Sequence, residues 1–342
     1  MSTSIKQGLG LLFMIVILGS CQDIQDEASF DLSYPAYFPE PHYQFGKNKL
    51  TKDGFELGKS LFYDPIVSRD STISCSSCHF QGHAFADHNS TLSTGIDGLK
   101  GVRNSPAMFN LAWNTSFMWD GGINHIEVMP VAPITNHVEM DETMAKLVAK
   151  LRSNAKYNAY FKQVFGNNTE VDDQQILFVL AQFMSLLVSD NSRYDQFRKG
   201  LVEFDEEENA GYLIFKKYCT QCHAEPLFTD FSFRNNGLEF KNDDFGRQKV
   251  PLLDDDFMKF KVPSLRNVEM TYPYMHDGRF RTLKMVLDHY STSLVPHENL
   301  DPSLKNAGQI GIPLSENDKE KLLVFLKTLN DYTFISNPLF GE

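Results

Sequence analysis

Cys75-Ser76-Ser77-Cys78-His79 and Cys219-Thr220-Gln221-Cys222-His223 are two copies of one pattern, Cys-x-x-Cys-His, set 144 residues apart. They use four of the five cysteines in a chain of 342 residues. The pattern reads as covalent attachment of a c-type haem: the two thiols form thioethers with the vinyl groups, and the adjacent His is placed to bind the iron. A zinc site of four cysteines has its halves closer together and does not need a His after each pair. A thioredoxin-like redox site is a single pair beside a strand–helix unit, and no such unit is visible. Two haem c groups are therefore expected, one on Cys75, Cys78 and His79, the other on Cys219, Cys222 and His223.

The surroundings of the two motifs repeat. Gly58-Lys59-Ser60-Leu61-Phe62 precedes the first, and Gly211-Tyr212-Leu213-Ile214-Phe215 precedes the second. After each His comes an aromatic and an acid, Phe85-Ala86-Asp87 and Phe228-Thr229-Asp230. The chain thus reads as two related haem domains, residues 46–203 and 204–342. The periodic segments are helical. Asp141 is placed to cap a helix carrying Met144, Leu147, Val148 and Leu151, and Asp172 to cap one carrying Ile176, Leu177, Leu180 and Phe183. Thr282 opens a helix to about Thr292, and Ser315 with Asp318 forms a capping box before Leu322, Leu323 and Phe325. Long loops are expected over 84–104 and 225–265, with a short hairpin near 231–245. The fold class is all-α, two class I cytochrome c-like haem domains with long loops.

Lys6 gives the chain a positive start, and Leu9 to Leu18 is an apolar run too short for a comfortable membrane span. Leu18-Gly19-Ser20-Cys21 follows and resembles the bacterial lipoprotein box. Residues 1–20 are read as a lipoprotein signal peptide, Cys21 as the lipidated residue, and 21–45 as a polar, Pro- and Tyr-rich tether. The expected location is outside the cytoplasm, as a periplasmic or outer-membrane-associated lipoprotein. Hydrophobic content of 42% with 28 Phe is ample for a core that walls buried haems. A net charge of −12 argues against nucleic acid and is compatible with a basic redox partner.

The chain resembles the bacterial dihaem cytochrome c peroxidases and the related MauG enzymes over about residues 46–335. Beyond the haem motifs the resemblance rests on Arg103-Asn104-Ser105-Pro106, Phe117-Met118-Trp119-Asp120-Gly121 and Val138-Glu139-Met140. It continues through Val262-Pro263-Ser264-Leu265-Arg266-Asn267 and Thr271-Tyr272-Pro273-Tyr274-Met275-His276-Asp277-Gly278. It implies that peroxide reacts at the N-terminal haem and that the C-terminal haem receives electrons. It implies Glu139 as the acid–base group and Trp119 as the indole between the haems. Asn104, Thr271 and Pro273 match residues around a calcium ion, for which amide and carbonyl oxygens are suitable hard ligands. Tyr290 matches the sixth ligand of the second haem, where peroxidases have Met and MauG enzymes have Tyr. Met270, Met275, Met285 and the adjacent His289 are the competing candidates. Where many peroxidases carry a His that blocks the first haem until reduction, this chain has Ile96, so the first haem is expected to be open. His83, His88 and Trp113 are expected to be packing residues. Met129 stands where many members have a Gln.

The reading is a dihaem peroxidase that reduces hydrogen peroxide to water with electrons from a small cytochrome c or a cupredoxin. The alternative is a MauG-like oxidase whose high-valent state oxidises a protein substrate; a third reading, of another class, is a non-catalytic dihaem electron carrier. The remaining expected partners are the membrane, through the lipid anchor only, and a second copy of the chain in a homodimer.

Overall fold

Capping residues set where the helices start. The computed structural model describes residues 30–342 apart from Ala307; the signal peptide and Cys21 lie outside the described residues. Thr51 Oγ1 accepts from the Gly54 amide and opens α1 (Lys52–Tyr63). The first half continues with α2 (Val131–Thr135), α3 (Met144–Ser153), α4 (Ala155–Phe165), α5 (Asp173–Ser185) and α6 (Arg193–Arg198). The second half holds α7 (Glu206–Tyr218), β1 (Phe233–Arg234), β2 (Phe260–Lys261) and α8 (Leu283–Thr292). It closes with β3 (Lys305–Asn306), β4 (Gln309–Ile310), α9 (Glu316–Lys327) and α10 (Tyr332–Ile335). Among the described residues the fold is mostly helical, and no helix is long and apolar enough to cross a membrane.

Asp172, Thr282 and Ser315 cap α5, α8 and α9 as the periodicity predicts. Asp141 does not cap α3. Its backbone is left-handed (φ +49°) and its carboxylate pairs with Arg69, while Thr143 Oγ1 takes the Lys146 amide instead. The hairpin expected near 231–245 is also displaced. β1 pairs antiparallel with β2, in the register Phe233 with Lys261 and Arg234 with Phe260. Phe260 is buried and completes the pair, whereas Phe240 and Phe245 stay exposed in the loop between the strands.

Two helix crossings carry the two halves: α1 packs on α5, and α7 packs on α9. Each crossing is made at a glycine. A Cβ on Gly58 would lie 1.9 Å from the Val179 carbonyl oxygen, and one on Gly211 would lie 2.1 Å from that of Lys321. Only hydrogen fits there, so the backbones close to contact. An aromatic triad sits at each crossing. Phe62 lies 5.0 Å from Phe183 and 5.8 Å from Phe85 between ring centroids; Phe215 lies 5.0 Å from Phe325 and 5.4 Å from Phe228. All six are fully buried, each contributing roughly 1.5–3 kcal/mol of transfer free energy.

The halves interlock. Tyr194 of α6 packs into the second core with Phe215, Phe228 and Phe325. Phe334 of α10 returns to the first half, 5.8 Å from Phe85, and Tyr63 Oη donates to the Phe340 carbonyl. Residues 31–342 form one compact unit. The last part of the stretch read as a tether belongs to it. Tyr37 Oη donates to Asp195, the Trp113 indole donates to the Pro39 carbonyl, and Phe38 and Tyr43 are buried. Its aromatic residues find apolar partners on the body, which a solvated linker does not do.

Candidate haem sites and the junction between them

Each Cys-x-x-Cys-His motif sits in a turn of the same geometry. The His79 amide donates to the Cys75 carbonyl over 3.0 Å, and the His223 amide to that of Cys219 over 2.9 Å. His79 Nδ1 lies 2.7 Å from the Phe85 carbonyl oxygen, and His223 Nδ1 lies 3.1 Å from that of Phe228. Both phenylalanines are held at positive φ, +58° and +55°, an uncommon state for a bulky side chain. A carbonyl on Nδ1 fixes the tautomer and leaves Nε2 as the free ligand atom. None of the four motif cysteines is tied up in a disulfide. Burial pushes Cys75 and Cys219 up to about 12 each. Among the described residues no group of three or more His, Cys, Asp or Glu could hold a metal ion. The donor set therefore fits thioether-bound haem at each motif.

A second repeat lies at the junction, and sequence reasoning missed it. Loop 117–123 and loop 274–280 are closed by equivalent bridges, Phe117 with Ile123 and Tyr274 with Phe280. Met118 and Gly121 have φ +65° and +71°, and Met275 and Gly278 have +74° and +66°. Each residue of the second set stands 157 places after its counterpart: Asn104 and Lys261, Pro106 and Pro263, Asn110 and Asn267, Trp119 and His276. The signal was present in the sequence as Pro-x-x-x-Asn followed by Asp-Gly in both halves. The two sets bind each other. The Asn104 amide donates to the His276 carbonyl, and the Lys261 amide donates to the Trp119 carbonyl, both over 2.7 Å.

A cavity of about 840 Å³ lies at this junction, lined by His79 and His223 and by Glu139, Trp119 and Tyr290. Asn104, Thr271, Pro273, Lys261 and His276 also line it. A smaller pocket of about 80 Å³ touches Cys75, Cys78, His79 and Glu139. The structure thus brings the predicted residues together within the described part of the chain; Cys21 lies outside it.

Glu139 is half-buried on the cavity wall. Burial raises its carboxyl above the ordinary value, and a hydrogen bond from Asn136 Nδ2 to Oε1 (2.8 Å) works against that. Asn136 thus engages Oε1 rather than Oε2. The loop that carries Ile96 is fastened to the same place: the Ile96 amide donates to the Glu139 carbonyl over 2.8 Å, and Arg69 pairs with both Asp97 and Asp141. Ile96 is fully buried. His83 and His88 stack on each other at 3.5 Å and do not line the cavity. His137, exposed and two residues before Glu139, does line it and was not foreseen.

The Trp119 indole donates to the Asn104 carbonyl over 2.9 Å, which sets its plane. Tyr290 lies on α8, with burial pushing its phenol up to about 12. Asn236 Nδ2 opposes that by donating to Tyr290 Oη (3.3 Å), and it also reaches Met275 Sδ (3.5 Å). His289 is turned to the Asn236 carbonyl over 3.0 Å, and Met285 is exposed. Met270 does not line the cavity, so Tyr290 and Met275 are the candidates on its wall. Asn104 Nδ2 donates to the Ser90 carbonyl, and among the described residues no carboxylate cluster accompanies Asn104, Thr271 and Pro273.

Residues 52–203 match the model of the di-haem cytochrome c peroxidase family. The chain is 34% identical over 291 residues to the methylamine utilization protein MauG of Methylorubrum extorquens, covering 82% of this chain and 79% of that one. The chain belongs to the di-haem cytochrome c peroxidase family. It is also 34% identical over 283 residues to the cytochrome c551 peroxidase of Nitrosomonas europaea, covering 81% and 80% of the two chains. A crystal structure of a MauG-like protein associated with microbial copper homeostasis superposes with a TM-score of 0.81 at 30% identity, covering 91% of this chain and 99% of that one. Dihaem family membership and the two motifs together imply two c-type haems, in an oxidoreductase family that includes both peroxidases and MauG proteins.

Proposed function

We propose that this chain reduces hydrogen peroxide to water, taking two electrons from a small redox protein and two protons. The observation that carries the reading is Glu139, held through Oε1 by Asn136, on the cavity wall that His79 shares. Two haems, held by Cys75, Cys78, His79 and by Cys219, Cys222, His223, would supply peroxide binding at the first site and electron storage at the second. Glu139 Oε2 takes the proton from the inner peroxide oxygen and returns it to the outer one. A carboxyl raised by burial is suited to both steps. Asn136 holds the other oxygen and so orients the shuttle. With Ile96 where many peroxidases of the family carry the blocking His, the first site is read as open without reductive activation. Trp119, fixed by its indole hydrogen bond, is the aromatic bridge between the haem sites. The equal turns, triads and glycine crossings support two class I cytochrome c-like domains.

A second reading is a MauG-like oxidase of a protein substrate. Tyr290 on the cavity wall, with Asn236 donating to its oxygen, favours it. Stopped-flow mixing of the diferric protein with peroxide, followed by steady-state assay with reduced cytochrome c, separates the readings. Rapid cytochrome oxidation supports the peroxidase. A long-lived oxidised species with poor cytochrome turnover supports the oxidase. No reaction with peroxide defeats both and leaves an electron carrier.

Export with lipid anchoring at Cys21 and a calcium ion at Asn104, Thr271 and Pro273 complete the proposal. Cys21→Ser releases the protein from membranes or blocks its processing, and an unmodified mature N-terminus by mass spectrometry would refute the anchor. Elemental analysis of the purified protein tests for calcium.

A further inference from the structure

The junction carries an amine that the peroxide chemistry does not use. Lys261 sits on β2, is half-buried, and helps to form the wall of the central cavity. Its Nζ donates to the Ser116 carbonyl over 2.8 Å and lies 5.9 Å from the centre of the Phe117 ring. Among the described residues no carboxylate is within ion-pair distance of it. The acids of the adjoining segments are matched elsewhere: Asp120 and Asp244 to Arg103, Asp256 to Arg247 and Lys259, Asp230 and Asp301 to Arg234. Burial alone lowers its ammonium, to about 8. One carbonyl and one ring face do not replace the water that an ammonium gives up, so a charge kept here calls for an anion. Lys261 and the Phe117 ring beside its Nζ both line the cavity, so the anion is sought in what fills the cavity.

The junction repeat sharpens the point. The counterpart of Lys261, 157 residues earlier, is Asn104, with its amide bonded to the opposite loop over the same 2.7 Å. Backbone and hydrogen bonds are alike on the two sides. The side chains are not: one side carries a neutral amide, bonded to the Ser90 carbonyl, and the other an amine. Charge enters the junction asymmetrically, at a place where two otherwise similar redox sites must differ.

Resting on the dihaem reading, we propose that Lys261 Nζ is the charge partner of a haem carboxylate at the junction, belonging to the haem of His79 or to that of His223. A positive charge held beside a haem carboxylate stabilises the reduced iron relative to the ferric state. Lys261 is thus a positioning and tuning residue that raises the potential of the haem it touches, and it forms no bond to iron or substrate.

The test uses the holoprotein. Parent, Lys261→Met and Lys261→Arg are purified, their haem content is measured by mass, and the midpoint potential of each haem is read by spectroelectrochemistry. Lys261→Met is expected to carry two haems, with one potential lowered and the other near the parent; the haem that moves names the owner of the carboxylate. Lys261→Arg, which keeps the charge, is expected to stay close to the parent. The redox-difference infrared spectrum of the Met variant should show a shifted haem carboxylate band. If the Met variant does not accumulate, Lys261→Gln, which can still donate to the Ser116 carbonyl, gives the same readout. Two unchanged potentials and unchanged carboxylate bands in a two-haem variant would overturn the proposal. A parent protein without two haems would overturn the dihaem reading itself, and the proposal with it.

Discussion

The amide of Lys261 donates to the carbonyl of Trp119 over 2.7 Å, so the indole loop of the first half hangs on a strand of the second. The reciprocal bond, from the Asn104 amide to the His276 carbonyl, does the same in the opposite direction. Trp119 is further held by Asn104, through its indole nitrogen. The junction is therefore held by backbone hydrogen bonds together with long side chains, among them Arg103 on Asp244 and Lys261 on the Ser116 carbonyl.

Glu139→Gln is expected to keep both haems and to slow the reaction with peroxide by about 10² or more, the usual cost of losing a positioned proton shuttle. The ionised carboxylate is the form that accepts the first proton. Because burial raises its pKa, the parent rate should fall on acidification at a higher pH than an ordinary Glu would give. In the variant this limb disappears. An unchanged rate in Glu139→Gln would transfer the role to water or to His137.

Tyr290→Phe is expected to change the optical spectrum of the His223 haem. Asn236→Ala should give part of that change, because it removes one donor to the phenol oxygen, an interaction of about 1 kcal/mol. If Tyr290→Phe is silent and Met275→Leu is not, the ligand is Met275 and the peroxidase reading is strengthened against the MauG-like one.

Gly58→Ala and Gly211→Ala should each destabilise the protein by about 1–3 kcal/mol or more, since the added methyl meets a helix carbonyl that cannot yield. Thermal unfolding of the holoproteins measures this. Comparable losses at both positions are expected if the two crossings are one motif used twice, and a neutral result at either would show that its helices can slide apart.

Asp195 and Arg266 form a fully buried pair with two bonds of 2.8 Å, and Tyr37 donates to the same carboxylate. Asp195→Asn should cost about 3–5 kcal/mol, because it leaves a guanidinium without its counter-charge. Burial alone would raise the Asp195 carboxyl, but the Arg266 guanidinium outweighs it and holds it below the ordinary value. The stability it adds is therefore full at neutral pH and is lost as pH falls below the usual carboxylate range towards the lowered value. Unfolding measured from neutral to acid pH should show an acid limb in the parent that is reduced in Asp195→Asn. Equal pH dependence in the two proteins would remove Asp195 from the account.

What the sequence by itself determined is local or repeated. The two Cys-x-x-Cys-His turns, the Gly-x-x-x-Phe helices before them and the caps at Asp172, Thr282 and Ser315 all rest on neighbours a few residues apart. Their physics is complete within one turn of chain, so the pattern is enough. Where a distant partner competes, the pattern fails. Asp141 and Thr143 are both able to cap α3, and Arg69, 72 residues earlier in the chain, takes the aspartate. Phe240 and Phe260 both suit a strand, and burial selects Phe260. Tyr37, Phe38 and Tyr43 read as linker residues until the body offers them Asp195, Trp113 and the first half's core. The tertiary structure alone decided that, among the described residues, no carboxylate stands beside Lys261, that Asn136 holds Glu139 and that Asn236 holds Tyr290. Each of these depends on which charges and hydrogen-bonding groups the fold brings within 4 Å and which it matches elsewhere, a property of packing that no window of sequence contains.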